Sequence, residues 1–196
     1  FTIRSIQTDV LGASYPRVIQ LQHYVPGKGH LLVTYAGGGG GGSMPVYRST
    51  DNGETFQPFS ELKGLQGQPT LYELPVKMGE FPAGTVMAAG GLVQGDPTKR
   101  MLAANYSSDG GKTWQYLSTF AEGGPGRYDP ADRAGLSLYQ NPVFEPYFHA
   151  DASDRLVVFF SDERHKHDGY SQLTAHRVSS DGGRTWAERV YDVAIP

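Results

Sequence analysis

One glutamate in this chain stands among apolar and aromatic residues in a way that suits acid–base chemistry. Glu145 lies in the segment Asn141 to Phe148, which reads NPVFEPYF. A carboxyl group in such surroundings loses hydration, which favours its protonated form and makes it a candidate proton donor. The alternative is a strand-edge glutamate bonded to the backbone or to an arginine, and the residue types alone do not decide between the two.

Further polar side chains have the chemistry to bind a sugar. Arg17 follows a Tyr-Pro pair, and its forked guanidinium can hold a hydroxyl group or a carboxylate. Asp162, Glu163 and Arg164 end the apolar run Leu156 to Phe160 as a charged cluster, which suits the rim of a sugar site. Glu163 is also the nearby candidate for a second carboxylate. Structural ion pairs are the alternative for all of these residues.

Two other patterns indicate neither a metal nor a cofactor. His165 and His167 flank a lysine and precede Asp-Gly, which predicts a solvated turn rather than a ligand pair. The six glycines Gly37 to Gly42 are not followed by Lys-Ser/Thr, so they are not a phosphate cradle. We interpret this run as a mobile loop, an engineered linker or a stretch of uncertain residue identity, because glycines offer no packing side chains and lose much entropy when ordered. A second loop is predicted at Pro125 to Gly135.

Composition limits the class of protein. The chain has 196 residues, enough for one domain, and 26 glycines with 13 prolines make up about a fifth of it. The net charge of −3, without a basic patch, argues against a nucleic-acid partner. Without cysteines there are no disulfides, no apolar run reaches membrane-spanning length, and Phe1 to Arg4 does not resemble a signal peptide.

A repeated motif determines the predicted fold. The pattern S-x-D-x-G-x-T-[WF] occurs at 49–56, 107–114 and 179–186, at spacings that fit one four-stranded sheet per repeat. A short carboxylate can hold a tight turn through backbone N–H groups, and glycine supplies a positive φ. We therefore assign Asp51, Asp109 and Asp181 to structural turns. The aromatic residue that ends each motif is expected to pack between sheets and to be mostly buried.

Strand-like segments surround each motif, which places the motif at the tip of a β-hairpin. About twelve strands, or three four-stranded blades of an all-β propeller, are predicted. The segments are Arg17 to Leu21, Leu31 to Tyr35, Met44 to Arg48, Thr70 to Glu73, Thr85 to Ala89, Met101 to Tyr106, Gln115 to Phe120, Pro146 to His149, Leu156 to Phe160, Leu173 to Val178 and Ala187 to Asp192, with one more after the first motif.

The motifs resemble a known family. The repeat is similar to the Asp-box, or BNR repeat, of sialidase-type β-propellers. Several stretches resemble, in order along nearly the whole chain, those of glycoside hydrolase family 93. They are Tyr15-Pro16-Arg17, Leu31 to Tyr35, Pro45 to Asp51, Gln68 to Pro75, Phe81 to Val86, Asn141 to Pro146 and Phe160 to Arg164.

That resemblance implies a six-bladed propeller that releases arabinobiose from α-1,5-arabinan with retention, without a cofactor and outside the cell. It places Glu145 on one of the two catalytic carboxylates. It also implies substrate contacts for Arg17, which resembles the substrate-facing arginine of sialidase-type propellers, and for Gln68, Tyr147, Asp162 and Arg164. A tyrosine can stack on a sugar face, although packing between blades is the commoner role.

The sequence departs from the family in two ways. Phe144 stands where the family has Trp, and Phe160 where it has Tyr. The chain also covers about three blades, whereas the family's second catalytic carboxylate lies in a later one. A glycan-binding half-propeller without hydrolysis, a purely structural unit and a sialidase-type glycosidase therefore remain as alternatives. We expect a second copy or further blades to close the ring, and we expect Glu145 and Arg17 near its axis, opposite the Asp-box turns.

Overall fold

Twelve β-strands and two short 3-10 helices make up the computed structural model, which describes residue 6 and residues 12–37, 42–93, 98–125 and 141–195. Most of the six-glycine run and the loop predicted after Pro125 lie outside these residues. The strands are β1 (Ser14–Gln20), β2 (Leu31–Ala36), β3 (Ser43–Ser49), β4 (Gln57–Lys63), β5 (Leu65–Glu73), β6 (Val86–Leu92), β7 (Arg100–Ser107), β8 (Gln115–Gly123), β9 (Val143–Ala150), β10 (Leu156–Asp162), β11 (Leu173–Ser179) and β12 (Val190–Val193). The 3-10 helices are Val25–Gly27 and Lys166–Asp168.

The strands form three antiparallel four-stranded sheets, each built from four consecutive strands. Blade 1 contains β1–β4, blade 2 contains β5–β8 and blade 3 contains β9–β12. The prediction of three four-stranded blades is therefore confirmed. The first strands of neighbouring blades contact one another, β1 with β5 and β5 with β9. We call these three the inner strands, because the blades converge on them as they do around the axis of a propeller.

Each Asp-box lies at the hairpin between the third and fourth strands of its blade. In blade 2 the Asp109 carboxylate accepts hydrogen bonds from the Ser107 hydroxyl at 2.7 Å and from the backbone N–H and hydroxyl of Thr113 at 2.8 and 2.6 Å. The Ser107 hydroxyl in turn accepts the N–H of Gly111, whose φ is +89°. Equivalent bonds around Asp51 and Asp181 hold the other two boxes, so each turn satisfies its own polar groups.

Two apolar clusters hold the blades together. Between blades 2 and 3, fully buried side chains from both sheets interdigitate, among them Leu102, Phe120, Phe148 and Leu156. A second cluster between blades 1 and 2 includes Leu32, Met44 and Leu62 from the first sheet. One face of a sheet buried against the next is what makes neighbouring blades stable together.

A tryptophan and a serine join each pair of neighbouring blades. Trp114 of the second Asp-box donates its indole N–H to the Ser60 hydroxyl of blade 1 at 3.1 Å, and Ser60 donates to the carbonyl of Gly111 at 2.5 Å. Trp186 and Ser118 repeat this between blades 3 and 2, at 2.9 Å. We call each such pair a Trp–Ser joint.

The Asp-box aromatics lie mostly within the protein. Phe56, Trp114 and Trp186 are each partly buried. The expectation that they are mostly buried is therefore confirmed. The two tryptophans pack against the apolar clusters, and the indole N–H of each donates to the serine of the preceding blade. None of the three rings is fully exposed, so the repeat assignment stands.

Every blade has two ends, and the strand register shows which residues lie at each. Asp-boxes follow Ser49, Ser107 and Ser179, which pair with Leu31, Val86 and Leu156. The opposite end of each blade, which we call the far end, holds the start of every inner strand.

No helix in the described ranges is both long and apolar enough to cross a membrane.

Candidate active site at the far end of the blades

Each inner strand is interrupted at the far end by a β-bulge with an unusual backbone. In blade 3 the pairing of β9 with β10 shifts between Phe159 and Ser161, and Glu145 at this point has a φ of +57°. Blade 2 shifts between Gln66 and Thr70, where Gln68 has a φ of +44°. A left-handed backbone is uncommon for residues other than glycine and costs about 1–3 kcal/mol, and such strain concentrates at functional sites.

Blade 1 has the same bulge, and in all three blades a proline follows the left-handed residue. Tyr15 has a φ of +50° at the shift between Ser14 and Arg17. Tyr15, Gln68 and Glu145 all precede a proline, which cannot donate to the strand ladder and is therefore accommodated at a bulge. The three blades thus present a side chain from the same position of the inner strand, at the end opposite the Asp-box turns.

Glu145 lies where the sequence predicted, but its surroundings differ from the prediction. The side chain is exposed rather than enclosed by its apolar neighbours, because the left-handed bulge turns it out of the sheet. The Ser161 hydroxyl donates to its carboxylate at 3.2 Å. The predicted desolvation of Glu145 is therefore not found within the described part of the chain. The bulge leaves the Glu145 carboxylate accessible to a ligand.

The other predicted binding residues on the inner strands are also accessible. Arg17 is exposed on β1 and donates to the backbone carbonyl of Pro16 at 3.1 Å, so no carboxylate of the described residues pairs with it. Tyr147 follows the Glu145 bulge and is 56% exposed, which fits stacking on a ligand better than packing between blades. Gln68 is partly buried, and its Oε1 atom has no hydrogen-bond partner among the residues that the structure describes.

Asp162 and Arg164 require a correction. Asp162 is fully buried, and Arg164 donates to it from Nε at 2.8 Å and from Nη2 at 2.5 Å. Burial alone would raise the pKa of Asp162, but hydrogen bonds from Arg164 and the charges of Arg164 and Arg189 outweigh it and lower this pKa. A substrate cannot reach a carboxylate that is buried and bonded to two arginines. Asp162 and Arg164 therefore form a structural salt bridge, which was the alternative interpretation of this pair.

The Asp162 network extends into the loop that follows β10. Tyr191 donates from its hydroxyl to Asp162 at 3.3 Å and lies 2.5 Å from His165 Nε2. His165 Nδ1 in turn lies 2.7 Å from Asp168. The prediction of a solvated loop therefore fits the exposed His167 but is wrong for His165, whose two ring nitrogens are both engaged. The described residues contain no cluster of three His, Cys, Asp or Glu suited to a metal ion.

Glu163 is also held in an ion pair and is not in contact with Glu145. Its carboxylate forms an ion pair with Lys166 at 2.7 Å and accepts from the Gln172 amide at 3.4 Å. In the ranges that the structure covers, no second carboxylate is recorded in contact with Glu145. Retaining glycosidases need a second carboxyl group about 5–5.5 Å from the first.

Sequence reasoning missed Arg100, which lies close to these bulges. This residue starts β7, the third strand of blade 2, but its side chain crosses β6 towards the inner strand. Its guanidinium lies over the ring of Phe144, the residue before Glu145, at 5.5 Å from the ring centre. Small residues inside strands were the available signal, because Gly67 and Gly91 mark the path of the arginine and strand glycines often permit close approach.

Comparison with known proteins agrees with this architecture. The model of the BNR/Asp-box repeat matches residues 106–116, which include the second Asp-box. Among curated protein sequences, none matches the chain significantly.

Solved structures give the wider match. An α-L-arabinanase of Penicillium chrysogenum complexed with arabinobiose superposes with a TM-score of 0.80 and 31% sequence identity, covering 96% of this chain and 52% of that chain. An α-L-arabinofuranosidase of Fusarium graminearum in complex with an iminosugar inhibitor has a TM-score of 0.80 and 28% identity, covering 95% and 51%. The family 93 α-L-arabinofuranosidase of the same organism with arabinobiose has a TM-score of 0.78 and 27% identity, covering 93% and 49%.

The chain therefore spans about half the length of the solved structures that it matches. It carries the BNR/Asp-box repeat and, over nearly its whole length, has the architecture of about half of a glycoside hydrolase family 93 β-propeller, the family that its sequence motifs resemble.

Proposed function

We propose that this chain forms part of an exo-α-L-arabinanase that releases arabinobiose from α-1,5-arabinan with retention. The observation that carries the proposal is the position of Glu145. Its exposed carboxylate lies at an inner-strand bulge, at the far end of a blade array whose structural neighbours include an arabinanase complexed with arabinobiose. Arg17, Gln68 and Tyr147 occupy the inner strands beside it, as side chains that bind and stack on sugars do.

The chemistry of the proposal needs two carboxyl groups. In a retaining mechanism one protonates the leaving oxygen while the other attacks the anomeric carbon, and water then releases the product. Glu145 supplies one of them. Ser161 keeps the Glu145 carboxylate oriented through the hydrogen bond to Oε2. Because no described carboxylate contacts Glu145, we propose that further blades supply the second carboxyl group and complete the site.

Closure of the ring follows from the same reasoning. Blade 1 exposes nearly every residue of β1, including Val18 at 61%, and blade 3 exposes Val190 and Val193 at 50% and 47%. Exposed apolar side chains and open strand edges favour association. We propose that either a second copy of this chain or additional blades cover these surfaces. Secretion, as in a protein that degrades an extracellular polysaccharide, is part of the same proposal.

A second candidate function is glycan binding without hydrolysis. The observation in its favour is that Asp162 and Glu163, two described carboxylates near the far end, are held in ion pairs and are not in contact with Glu145. Such a half-propeller would bind arabinan-like glycans through the inner-strand side chains and would not cleave them.

Hydrolysis of debranched arabinan, with analysis of the products and of a panel of nitrophenyl glycosides, tests the proposal. Release of arabinobiose with the anomeric configuration retained is the expected result. Binding of arabinobiose without turnover would replace the enzyme by the glycan-binding module. If the protein neither binds nor hydrolyses these sugars, both functions are contradicted. Cleavage of a nitrophenyl sialoside instead would assign the chain to sialidase chemistry.

A further inference from the structure

A cavity of about 160 Å³ lies between blades 1 and 2 at the end that carries the Asp-boxes, opposite the candidate active site. We call it the junction cavity. Its walls include Tyr24 and His30 from the loop after β1, Arg48 and Phe59 from β3 and β4, and Lys112 from the second Asp-box. Pockets that enclose a whole drug-sized ligand measure about 300–1,000 Å³, so this cavity fits a small group or one end of a longer molecule.

An aromatic ring holds the guanidinium of Arg48 in the wall of the junction cavity. Its Cζ atom lies 4.0 Å from the centre of the Phe59 ring, which is a cation–π contact. This contact uses the flat face of the guanidinium, whereas the N–H donors lie in its plane. In the part of the chain that the structure describes, no acceptor and no ion-pair partner is recorded for Arg48. Its fork is therefore available for a carboxylate or a phosphate.

Lys112 adds a second positive charge to the same cavity. Its side chain is exposed, and it forms no ion pair with a described residue. The loop after β1, which contributes another part of the wall, has no aspartate or glutamate between Gln22 and His30. It places the imidazole of His30 at the cavity instead. The side chains nearest to the two cations along this loop therefore offer no counter-charge.

One carboxylate, that of Asp109, also lines the cavity. It accepts hydrogen bonds from the hydroxyl groups of Ser107 and Thr113 and from the backbone N–H groups of Lys112 and Thr113. These bonds hold the Asp-box together, and no ion pair of Asp109 with Arg48 or Lys112 is recorded. Two cations and one anion leave a net positive charge around the cavity, which attracts a negatively charged group.

The next junction contains the carboxylate that this one lacks. Between blades 2 and 3, Arg184 occupies the Asp-box position of Lys112 and forms an ion pair with Glu80 from the loop after β5. Arg184 also lies over the ring of Phe81 in the same loop, at 5.2 Å from the ring centre. The loop of the preceding blade thus neutralises the box cation there. Between blades 1 and 2 it does not, so the same position is open to an anion from outside the chain.

The position of Arg48 differs between the two junctions in the same sense. Its counterpart in blade 2 is Tyr106, which also directly precedes the first serine of an Asp-box. The Tyr106 ring packs on Phe81 with ring centres 4.8 Å apart, and its hydroxyl group donates to Gln115 at 2.8 Å. An aromatic ring with a satisfied hydroxyl group therefore completes the second junction. In the first junction Arg48 places unpaired donors at the equivalent point.

We propose that the junction cavity binds an oxyanion through the fork of Arg48 and the ammonium group of Lys112. The oxyanion is a small ion or the carboxylate or phosphate group at the end of a longer ligand, since these share charged acceptor oxygens. A neutral sugar has no charge to offset the two cations and is not expected to bind. The site lies at the end of the blades opposite Glu145, so it does not depend on the proposed hydrolysis.

The side-chain NMR signals of the arginines test this proposal. Inorganic phosphate and sodium galacturonate are titrated separately into the ¹⁵N-labelled protein at constant ionic strength, and galactose serves as the neutral counterpart of galacturonate. The Arg48 Nε–H resonance should shift and reach saturation with an anion but not with galactose. The Arg184 resonance should stay in place, because Glu80 already pairs with it. Saturation with phosphate alone assigns a phosphate ligand, and saturation with galacturonate alone assigns a carboxylate.

Two variants measure the contribution of each cation. Arg48→Met and Lys112→Met should each raise the dissociation constant of the anion that binds about tenfold or more, because each removes a charge-assisted hydrogen bond. Lys77→Met is the matched control. Lys77 is exposed in the loop after β5, outside the junction cavity, so this variant should bind the anion as the unchanged chain does.

Several outcomes would overturn the proposal. An Arg48 resonance that responds to neither anion would do so. A resonance that shifts in parallel with that of Arg184 and does not saturate would show only general screening of charge. Unchanged affinity in a folded Lys112→Met protein would equally contradict it. If Arg48→Met does not fold, Lys112→Met, at an exposed position, and the resonance of the unchanged chain decide the question.

Discussion

Gln68 and Glu145 occupy equivalent positions in adjacent blades. Each has a left-handed backbone, with φ of +44° and +57°, each precedes a proline, and each interrupts the inner strand of its blade at the far end. A strand without the bulge would direct successive side chains alternately to its two faces, both of which pack against blades. At the bulge one side chain no longer follows this alternation. Because each blade carries the bulge at the same position, these side chains lie at the same end of neighbouring inner strands. A site made from several blades follows directly from this geometry.

Replacing Glu145 by Gln should abolish most hydrolysis and leave the fold intact. Removal of a positioned acid or base lowers kcat by about 10²–10⁴-fold. The side chain is exposed and has a hydrogen bond from Ser161, so the thermal midpoint should change little. Turnover of debranched arabinan and circular dichroism measure the two effects. Glu188→Gln, at an exposed position in the same blade, is the control, and equal turnover in the two variants would exclude a catalytic role for Glu145.

The substitution Asp162→Asn tests whether the buried Asp162–Arg164 pair stabilises the fold or binds a ligand. Loss of the carboxylate leaves Arg164 and Arg189 without their counter-charge, and breaking a buried pair on one side costs about 3–5 kcal/mol. Urea denaturation should show this loss, while Asp154→Asn, in an exposed turn, should show little. The affinity of the folded variant for arabinobiose should equal that of the wild type. A variant of normal stability that binds sugar poorly would restore Asp162 to the binding site.

Glu73→Gln should weaken the contact between blades 1 and 2. The Glu73 carboxylate accepts the backbone N–H groups of Gln22, His23 and Tyr24 at 2.6, 3.0 and 2.8 Å, which ties the loop after β1 to the inner strand of the next blade. Hydrogen bonds to a charged group contribute about 1.5–3 kcal/mol, so a loss of about 2 kcal/mol in the free energy of unfolding is expected.

The comparison variant for Glu73 is Glu80→Gln, which breaks the exposed ion pair of Glu80 with Arg184. Exposed pairs contribute less than about 1 kcal/mol, so this variant should be the more stable of the two in urea denaturation. The reverse order would show that the Glu73 contact does not bear on stability.

Acid should destabilise the chain as the Asp-box carboxylates become protonated. Hydrogen bonds from the Thr55 side chain and backbone and from Ser49 lower the pKa of Asp51 to about 2. Burial alone would raise the pKa of Asp109 and Asp181, but the hydrogen bonds of their own boxes outweigh it and lower both. A carboxyl group with a lowered folded-state pKa contributes stability above its unfolded pKa of 3.8 and loses it as the pH falls.

The free energy of unfolding should therefore be level above about pH 5 and fall between about pH 4 and pH 2. Urea denaturation over this range measures the slope. Asp51→Asn should reduce the slope, because one of the titrating groups is gone. A stability that does not depend on pH in this window would show that the boxes contribute no proton-linked stability.

Light scattering tests ring closure. The chain has a mass of 21.3 kDa, and we expect twice this mass at micromolar concentration, because two arcs of three blades would cover each other's exposed apolar surfaces. Val18→Lys, which adds a charge to the exposed inner strand of blade 1, should favour the monomer if this surface is buried in the pair. A folded, soluble monomer of the unchanged chain would show that three blades need no cover.

Local patterns were sufficient to predict the three blades, since turn chemistry and strand runs are encoded within a few residues of each Asp-box. The last strand is shorter than predicted, Val190–Val193 rather than Ala187 to Asp192, because the carbonyls of Trp186 and Ala187 accept from the Arg177 side chain and do not join a ladder. The sequence also marks Glu145 as a candidate, through its proline and its apolar neighbours, although these neighbours do not enclose its side chain.

Features of the site that depend on contacts between strands and blades could not be predicted. Arg100 reaches the inner strand only because Gly91, on another strand, leaves its path open. Asp162 looked like a rim residue in the sequence and is buried because cations from two other places, Arg164 and Arg189, converge on it. The exposure of Glu145 depends on a left-handed backbone that no neighbouring residue type specifies.

The Trp–Ser joints also bear on how two copies of this arc would meet. The serine of each joint lies four residues after an Asp-box aromatic, as Ser60 does after Phe56 and Ser118 after Trp114; in blade 3 this position is Val190, which has no hydroxyl. At the opposite face, the aromatic of blade 1 is Phe56, which has no indole N–H to donate. A contact of blade 3 with blade 1 of another copy would therefore lack both partners of the joint. A ring of two copies uses this contact twice, so its closure would depend on the exposed apolar side chains and not on the hydrogen bonds that join the internal blades.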